Sequence, residues 1–318
     1  MRPIHEQAII DAVRYDEWPT ASRLAPRLAQ FAAVARLEHV TQAAEELGMP
    51  QPTLSRSIVK LEAELGVPLL TREGRKVRLT RVGRGFLRAV ESVLNELERG
   101  ADAAREEVDP EGGKVAFGFL HSMGPETVPE LLRGFREQYP RVRFQLVQDY
   151  ADRMLDRLRE GELDLCLTSP IPDDPDLVAR RVAAQRLTLC VPTAHRLAAR
   201  SRIRLTEVAD DPFVSLEPGY GLRRIADTLC AEAGFTPKIS FEGEETETLR
   251  GLVAAGFGVA LLPPAGSPRS GVAELDIIGA RAHRDIALTW LGHREPTAPV
   301  EAFRAYVLSR RDQLLLHE

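Results

Sequence analysis

Cysteine is nearly absent from this 318-residue chain: Cys166, Cys190 and Cys230 each sit inside an apolar run, and none belongs to a C-x-x-C or Cys/His grouping. This excludes a disulfide framework and a thiolate metal motif, and leaves three small buried hydrophobes in a reducing compartment. No stretch approaches the roughly 18 uninterrupted apolar residues of a membrane span. The opening MRPIHEQAIIDAVRYDEWPT has neither an apolar core nor a small-residue cleavage site. The expectation is a cytoplasmic protein without a membrane partner. Aromatics make up only 6 % of the chain, but its hydrophobic residues reach 44 %, enough for the cores of more than one domain. There is no G-x-S-x-G elbow, no Gly-rich phosphate loop after a strand, and no His/Cys/Glu metal spacing, which argues against an enzyme and against any cofactor or metal. His121-Ser122 is not a catalytic pair, because sequence neighbours in a loop need not face each other and no third member follows. Internal repeats and low-complexity segments are also missing.

Charge is present but unevenly placed. The net charge is −5, yet residues 51–88 carry Arg56, Lys60, Arg72, Arg75, Lys76, Arg78, Arg81, Arg84 and Arg88 against Glu62, Glu64 and Glu73. That segment is +6 and the remainder −11. A local basic patch on an acidic chain is what one small module needs to meet phosphates while the rest stays clear of them.

Residues 23–80 read as three helices and a hairpin. Leu24, Leu28, Phe31, Val34 and Ala35 form one apolar stripe at helical spacing. Thr41 is expected to cap a second helix at 42–47, stopped by Gly48. A third, at 51–65, has Leu54, Ile58, Leu61 and Leu65 on one side and Ser55, Arg56, Val59 and Lys60 elsewhere, with Gly66 ending it. Leu69-Leu70 and Val77-Arg78-Leu79 then flank the polar turn Arg72-Glu73-Gly74-Arg75-Lys76, a hairpin signal. The order is helix, turn, helix, wing.

The spacing next predicts one long helix over 81–108. Its apolar positions Leu87, Val90, Leu94, Leu97, Ala101, Ala104 and Val108 alternate steps of three and four, a seam suited to a copy of itself and therefore to a homodimer. Packing on its own domain is the alternative left open. Asp109-Pro110-Glu111-Gly112-Gly113 breaks the helix and reads as a hinge over 109–113. From residue 114 strands alternate with helices: strands at 115–120, 142–148, 164–168, 187–191, 212–216, 238–242, 258–262 and 286–291, and helices at 125–138, 151–160, 221–233, 245–256 and 299–313. The alternation implies parallel sheets covered by helices. About eight strands in some 200 residues suit two small sheets with a cleft better than one large sheet. The expected subdomains are 114–185 with 275–318, and 186–274.

Several runs carry a family resemblance. They are Phe31-Ala32-Ala33-Val34-Ala35, Thr41-Gln42-Ala43-Ala44-Glu45-Glu46-Leu47, Gln51-Pro52-Thr53-Leu54-Ser55-Arg56-Ser57-Ile58, Leu61-Glu62-Ala63-Glu64-Leu65-Gly66-Val67-Pro68-Leu69 and Leu79-Thr80-Arg81-Val82-Gly83. Together they closely resemble the DNA-binding domain of LysR-type transcriptional regulators. A weaker likeness runs through Gly161-Glu162-Leu163-Asp164-Leu165 and Ala255-Gly256-Phe257-Gly258-Val259-Ala260-Leu261-Leu262-Pro263. The resemblance implies an α/β chain with an N-terminal winged helix-turn-helix, a long dimerisation helix and a C-terminal effector module of two subdomains resembling periplasmic binding proteins. It also implies a tetramer, a dimer of dimers. The partners it implies are double-stranded promoter DNA, a small-molecule effector, further copies of the chain and RNA polymerase. Two features depart from the pattern. Residues 1–22 are an extension that fits a tail, an extra helix (Ile4, Ala8, Ile9, Ala12 and Val13 are helically spaced) or a misplaced start codon. Pro50 stands where the family usually has Ser or Thr, and it has no side-chain oxygen for the helix's free N–H groups.

A recognition helix puts its first turns against base edges in the major groove. Gln51, Pro52, Thr53, Ser55 and Arg56, with Thr41 nearby, are therefore the candidate readers, Gln51 suiting adenine, Arg56 guanine or phosphate, and the Thr53 methyl thymine. Lys60, Arg72, Arg75, Lys76 and Arg78 are candidate backbone contacts that add affinity without sequence choice. In the C-terminal module, strand-end loops preceding helices offer N–H groups to an anion. Candidate effector contacts are His121, Ser122, Met123, Thr168, Ser169, Ser215 and Tyr220, with a helix cap as the alternative role for Ser122. The acidic cluster Glu242, Glu244, Glu245 and Glu247 complements a helix dipole or, if it faces the cleft, favours a ligand bearing an amine. A solute-binding protein would share the C-terminal architecture, but would leave the basic head unexplained.

Overall fold

The computed structural model describes residues 19–74, 76–106, 112–279, 281–311 and 314, in two compact units that divide the chain between Arg99 and Gly100. Most of the N-terminal extension, Arg75, Val108 and residues 109–111 of the expected hinge lie outside the described residues.

The first unit contains α1 (Pro19–Leu37), α2 (Val40–Glu46), α3 (Gln51–Leu65), the hairpin β1 (Leu70–Glu73) and β2 (Lys76–Leu79), and the start of the long helix α4 (Arg81–Glu106). Leu24, Phe31, Val34 and Ala35 of α1 are buried with Ala43 and Ala44 of α2 and Leu54, Ile58 and Leu61 of α3, so each expected stripe faces a common core. The cap of α2 is corrected: His39 is the N-cap, its ring Nδ1 accepting the Gln42 N–H at 3.4 Å, and Thr41 lies within the helix, exposed. Pro50 precedes α3 without a side-chain cap bond, as its chemistry requires, and Gly66 ends the helix in a left-handed conformation, φ 71°. The hairpin is antiparallel, pairing Leu70 with Leu79 and Glu73 with Lys76, and Gly74 takes φ 65° at its tip. Glu62 fixes the wing to α3, one carboxylate oxygen accepting the N–H groups of Leu69 at 2.7 Å and Leu70 at 2.9 Å. Gly83 sits where α4 passes the Leu69 carbonyl so closely that a Cβ would stand 2.0 Å from its oxygen.

The second unit has two sheets regions. Strands β3 (Lys114–Phe119), β4 (Arg143–Gln148), β5 (Leu165–Thr168), β6 (Leu177–Arg186) and β13 (His283–Leu291) form a five-stranded sheet in the order β4-β3-β5-β13-β6. It packs with α5 (Thr127–Arg136), α6 (Ala151–Arg159) and α9 (Ala298–Ser309) around Phe117, Phe135, Met154 and Phe303. Strands β7 (Thr188–Pro192), β8 (Arg202–Ile203), β11 (Ala260–Leu262) and β12 (Val272–Ile277) form a second sheet. The parallel pair β9 (Pro212–Leu216) and β10 (Lys238–Gly243) joins it through a bridge from Phe213 to Val259. Helices α7 (Gly221–Glu232) and α8 (Thr246–Ala254) belong to this half.

The expected sheets were all parallel, whereas both are mixed. Strand β13 runs antiparallel to β5 and β6, and β7 runs antiparallel to β11 and β12. The missing strands were β6, β8 and β12. In β6, Arg180, Arg181 and Arg186 interrupt any apolar run, and the strand is held by pairing with β13 across nine register positions. The chain returns to the first sheet after β12, hence beyond residue 277 rather than at 275, and the Leu187 N–H donates to the Ala282 carbonyl at 2.8 Å where the two crossings run together.

Removing the Glu62 carboxylate leaves two N–H groups at the root of the wing without their acceptor. Glu62→Ala is expected to cost the first unit about 1–3 kcal/mol, read as a lower melting midpoint by calorimetry; an unchanged midpoint removes Glu62 as the anchor.

Candidate functional site

Helix α3 presents opposite faces to opposite surroundings. Leu54, Ile58 and Leu61 are buried, and Ser57, on the same side, donates its hydroxyl to the Gln30 side-chain oxygen. Gln51, Pro52, Thr53, Arg56 and Lys60 are exposed and Ser55 is half-buried. Gln51 Nε2 donates to Ser55 Oγ at 3.2 Å, and Arg56 Nε to the Pro52 carbonyl at 3.2 Å, so both long side chains lie along the helix surface. Helical spacing puts Val59, 59 % exposed, on the arc of Pro52 and Arg56, giving the face an apolar centre that the candidate readers omitted. In the hairpin Arg72 and Lys76 are exposed, while Arg78 Nε donates to Glu73 Oε2 at 2.7 Å, so its charge is already balanced within the wing. That carboxylate also raises the Arg78 pKa, first through the hydrogen bond and then through its charge.

The seam of α4 divides. Val90, only 2 % exposed, belongs to the first unit's own core, and Phe86, Leu87 and Leu94 pack against it. Val90 is therefore corrected from a dimerisation position to a core position. Leu97 is 69 % exposed, Ala101 is half-buried, and Val82 and Val93, which the seam did not include, are exposed at 52 % and 54 %. At 100° per residue Val82, Val93 and Leu97 lie within one narrow arc, an apolar strip beside the buried one.

In the second unit a narrow cleft of about 370 Å³, its open mouth included, lies where the ends of β3, β5 and β9 approach α6, α7 and α8. It brings together His121, Ser122, Ser169 and Tyr220 of the expected set. The other three are elsewhere. Met123 is buried in the core of the first sheet, because the short helical turn His121–Met123 rotates it inward. The Thr168 hydroxyl shares a 2.8 Å hydrogen bond with that of Thr289, the neighbouring strand's residue. Ser215 is paired in β9 opposite Glu242, one residue short of the cleft. Sequence reading missed Arg284, Asp149, Tyr150 and Thr246, and of the acidic cluster it weighed for the cleft Glu244 lines it. Arg284, 4 % exposed, sits on β13, some 160 positions from the loop it supports. Its Nη2 donates to Ser122 Oγ and to Gln185 Oε1, both at 2.6 Å.

The acidic cluster also divides. Glu242 accepts from Arg223 at 2.7 Å and Glu247 from Arg250 at 3.2 Å, whereas Glu244 borders the cleft. Burial and then the Glu244, Glu217 and Asp149 carboxylates hold the Tyr220 hydroxyl above its ordinary pKa, so it remains a neutral donor. Among the described residues no His/Cys/Asp/Glu group could hold a metal, and no helix is long and apolar enough to cross a membrane.

A helix-turn-helix with a basic wing, followed by a two-lobed α/β unit with a polar cleft, defines a DNA-binding regulator with a ligand-binding module. Residues 26–84 match the bacterial regulatory helix-turn-helix proteins of the lysR family, and residues 109–312 match the LysR substrate binding domain. The chain is 39 % identical to the uncharacterized HTH-type transcriptional regulator YybE of Bacillus subtilis, over 89 % of this chain and 97 % of YybE. It is 36 % identical to the transcriptional dual regulator GltC of Bacillus subtilis, over 74 % of this chain and 79 % of GltC. Among solved structures it resembles the effector binding domain of QuiR in complex with shikimate, with 28 % identity, TM-score 0.60, and coverage of 63 % of this chain and 97 % of that one. The full-length CbnR complexed with its target DNA shares the fold, with 24 % identity, TM-score 0.72, and coverage of 90 % and 99 %. This chain belongs to the LysR family of transcriptional regulators, a family of DNA-binding proteins with an effector-binding domain.

Cys166, Cys190 and Cys230 are all buried, and burial raises each thiol pKa, to about 12 for Cys190 and Cys230. The thiolate is the reactive form. The native chain is expected to resist a thiol-titrating disulfide reagent at pH 8 and to release all three equivalents only after denaturation; rapid native reaction would place a thiol at the surface.

Proposed function

We propose that this chain is a cytoplasmic regulator that reads a promoter duplex with α3, acts as a dimer or dimer of dimers, and changes its promoter binding or activation when a small molecule occupies the cleft. The observation that carries the reading is the two-faced α3, whose enclosed side fixes it to the core and whose open side leaves Gln51, Thr53, Arg56 and Val59 exposed. Gln51 and Arg56 have the donor patterns for adenine and guanine edges, and Val59 and the Thr53 methyl suit a thymine methyl. Arg72 and Lys76 add backbone affinity, with Arg78 weaker because Glu73 already engages it. Arg75, outside the described residues, is proposed to act beside them. The target DNA of CbnR supports the duplex partner by analogy of fold, and the shikimate of QuiR supports a small organic effector. RNA polymerase is the proposed further partner in activation.

For oligomerisation the exposed strip Val82–Val93–Leu97 replaces the seam centred on Val90. A second copy is its proposed cover, since pairing two such strips removes apolar surface from water on both sides. For the domains, 23–80 is the proposed DNA-binding head and 114–318 the effector module, with the long helix between.

Arg56→Ala is expected to abolish preference for the chain's own upstream region over scrambled DNA in competition assays. Lys76→Ala should weaken all duplexes alike and flatten the salt dependence of log K by about one unit. Retained sequence preference in Arg56→Ala would overturn the reading of α3. Leu97→Asp is expected to shift the sedimenting species to a smaller assembly without lowering the melting midpoint of the first unit; an unchanged species distribution assigns the interface elsewhere.

A further inference from the structure

Three helices begin at the cleft. Ala151, Gly221 and Thr246 are the first residues of α6, α7 and α8, and all three line it. Their N-cap residues Tyr150, Tyr220 and Glu245 make no side-chain cap bond. The start of a helix carries partial positive charge and N–H groups without intrahelical acceptors; Asp149 and Glu244 directly precede the caps of α6 and α8, so the start of α7, with Gly221 against Ser169, is the one that favours an anion. The inner wall agrees. Arg284 brings a guanidinium to Ser122, and Ser169, 2 % exposed, holds its hydroxyl in the cleft wall with no hydrogen-bond partner. A buried hydroxyl without a partner is a position that a ligand atom can complete.

The lining also carries two carboxylates of the opposite preference. Asp149 comes from the first sheet's half and Glu244 from the second, both next to the tyrosines Tyr150 and Tyr220, whose rings lie 5.4 Å apart. Asp149 accepts the Tyr150 N–H at 2.9 Å, which leaves its second oxygen with Arg153 at 4.0 Å. A ligand that is only anionic would bring its charge toward Asp149 and Glu244. A positive group beside the anion turns that repulsion into attraction, and aromatic faces accept an ammonium.

We propose that the cleft takes a small zwitterion of the α-amino acid type, its carboxylate at Ser122, Ser169 and Arg284 and its ammonium toward Asp149 and Glu244. This deepens the effector reading above and rests on it for its regulatory meaning. Gly221 adds a geometric condition. A Cβ there would stand 2.2 Å from the Ser169 carbonyl, so the two halves approach each other at the cleft with backbone against backbone.

The test is calorimetric titration of the full-length chain with each of the twenty common α-amino acids, and, for any that binds, with the α-hydroxy acid and the decarboxylated amine of the same skeleton. At least one amino acid is expected to saturate one site per chain, and each matched analogue to bind about tenfold weaker or worse. Glu244→Gln should weaken the amino acid by about tenfold and spare the hydroxy acid, whereas Ser169→Ala should weaken both. Failure of all twenty to bind, a hydroxy acid that binds as tightly as its amino acid, or an amino-acid affinity untouched by Glu244→Gln overturns the proposal. Promoter footprints separate it from the broader reading. Binding that never alters a footprint removes the effector role and keeps the zwitterion site, and a hydroxy or dicarboxylic acid that binds and alters footprints does the reverse.

Discussion

Enclosure of one face of α3 is the constraint from which the rest of the head follows. Leu54, Ile58 and Leu61 are buried, each such burial contributing about 1.5–3 kcal/mol. Because 3.6 residues make a turn, fixing that face fixes the opposite one as well. Gln51, Arg56, Val59 and Lys60 are held outward by the burial of the opposite face. Glu62 extends the same logic to the wing, which it ties to the helix through two backbone N–H groups.

The long helix α4 shows the same rule under competition. An apolar strip can face only one neighbour, and the head's core takes Val90 and draws Leu87 and Leu94 against it. What remains for another surface is the adjacent arc of Val82, Val93 and Leu97. A heptad read from sequence gives the period but not the rotation, because the same residues satisfy either neighbour.

The cleft depends on charge placement rather than on burial alone. The start of α7, Arg284 and a buried Ser169 hydroxyl favour negative charge, whereas Asp149 and Glu244, directly before the caps of α6 and α8, disfavour it. Two other acids of the cluster are paired elsewhere: Arg223 takes Glu242, and Arg250, itself 2 % exposed, takes Glu247 together with Glu274 and the Pro263 carbonyl. Those pairs hold the loops around the second lobe and leave Glu244 as the member that borders the ligand space.

Local periodicity and punctuation settled what is local. The order of helices in the head, the stop at Gly66, the missing cap at Pro50, the basic character of residues 51–88 and the alternation of strands and helices in the C-terminal half were all legible in the chain. So were His121, Ser122, Ser169 and Tyr220, since loops between strand and helix are recognisable from their own residues. Tertiary structure alone decided the strand directions, the burial of Met123 and Thr168, the rotation of α4 and the arrival of Arg284 at Ser122. The physical reason is common to all of them. Hydrogen bonds and packing between segments that are not neighbours in the sequence have no periodic trace in either segment, so they exist only once the chain has closed on itself.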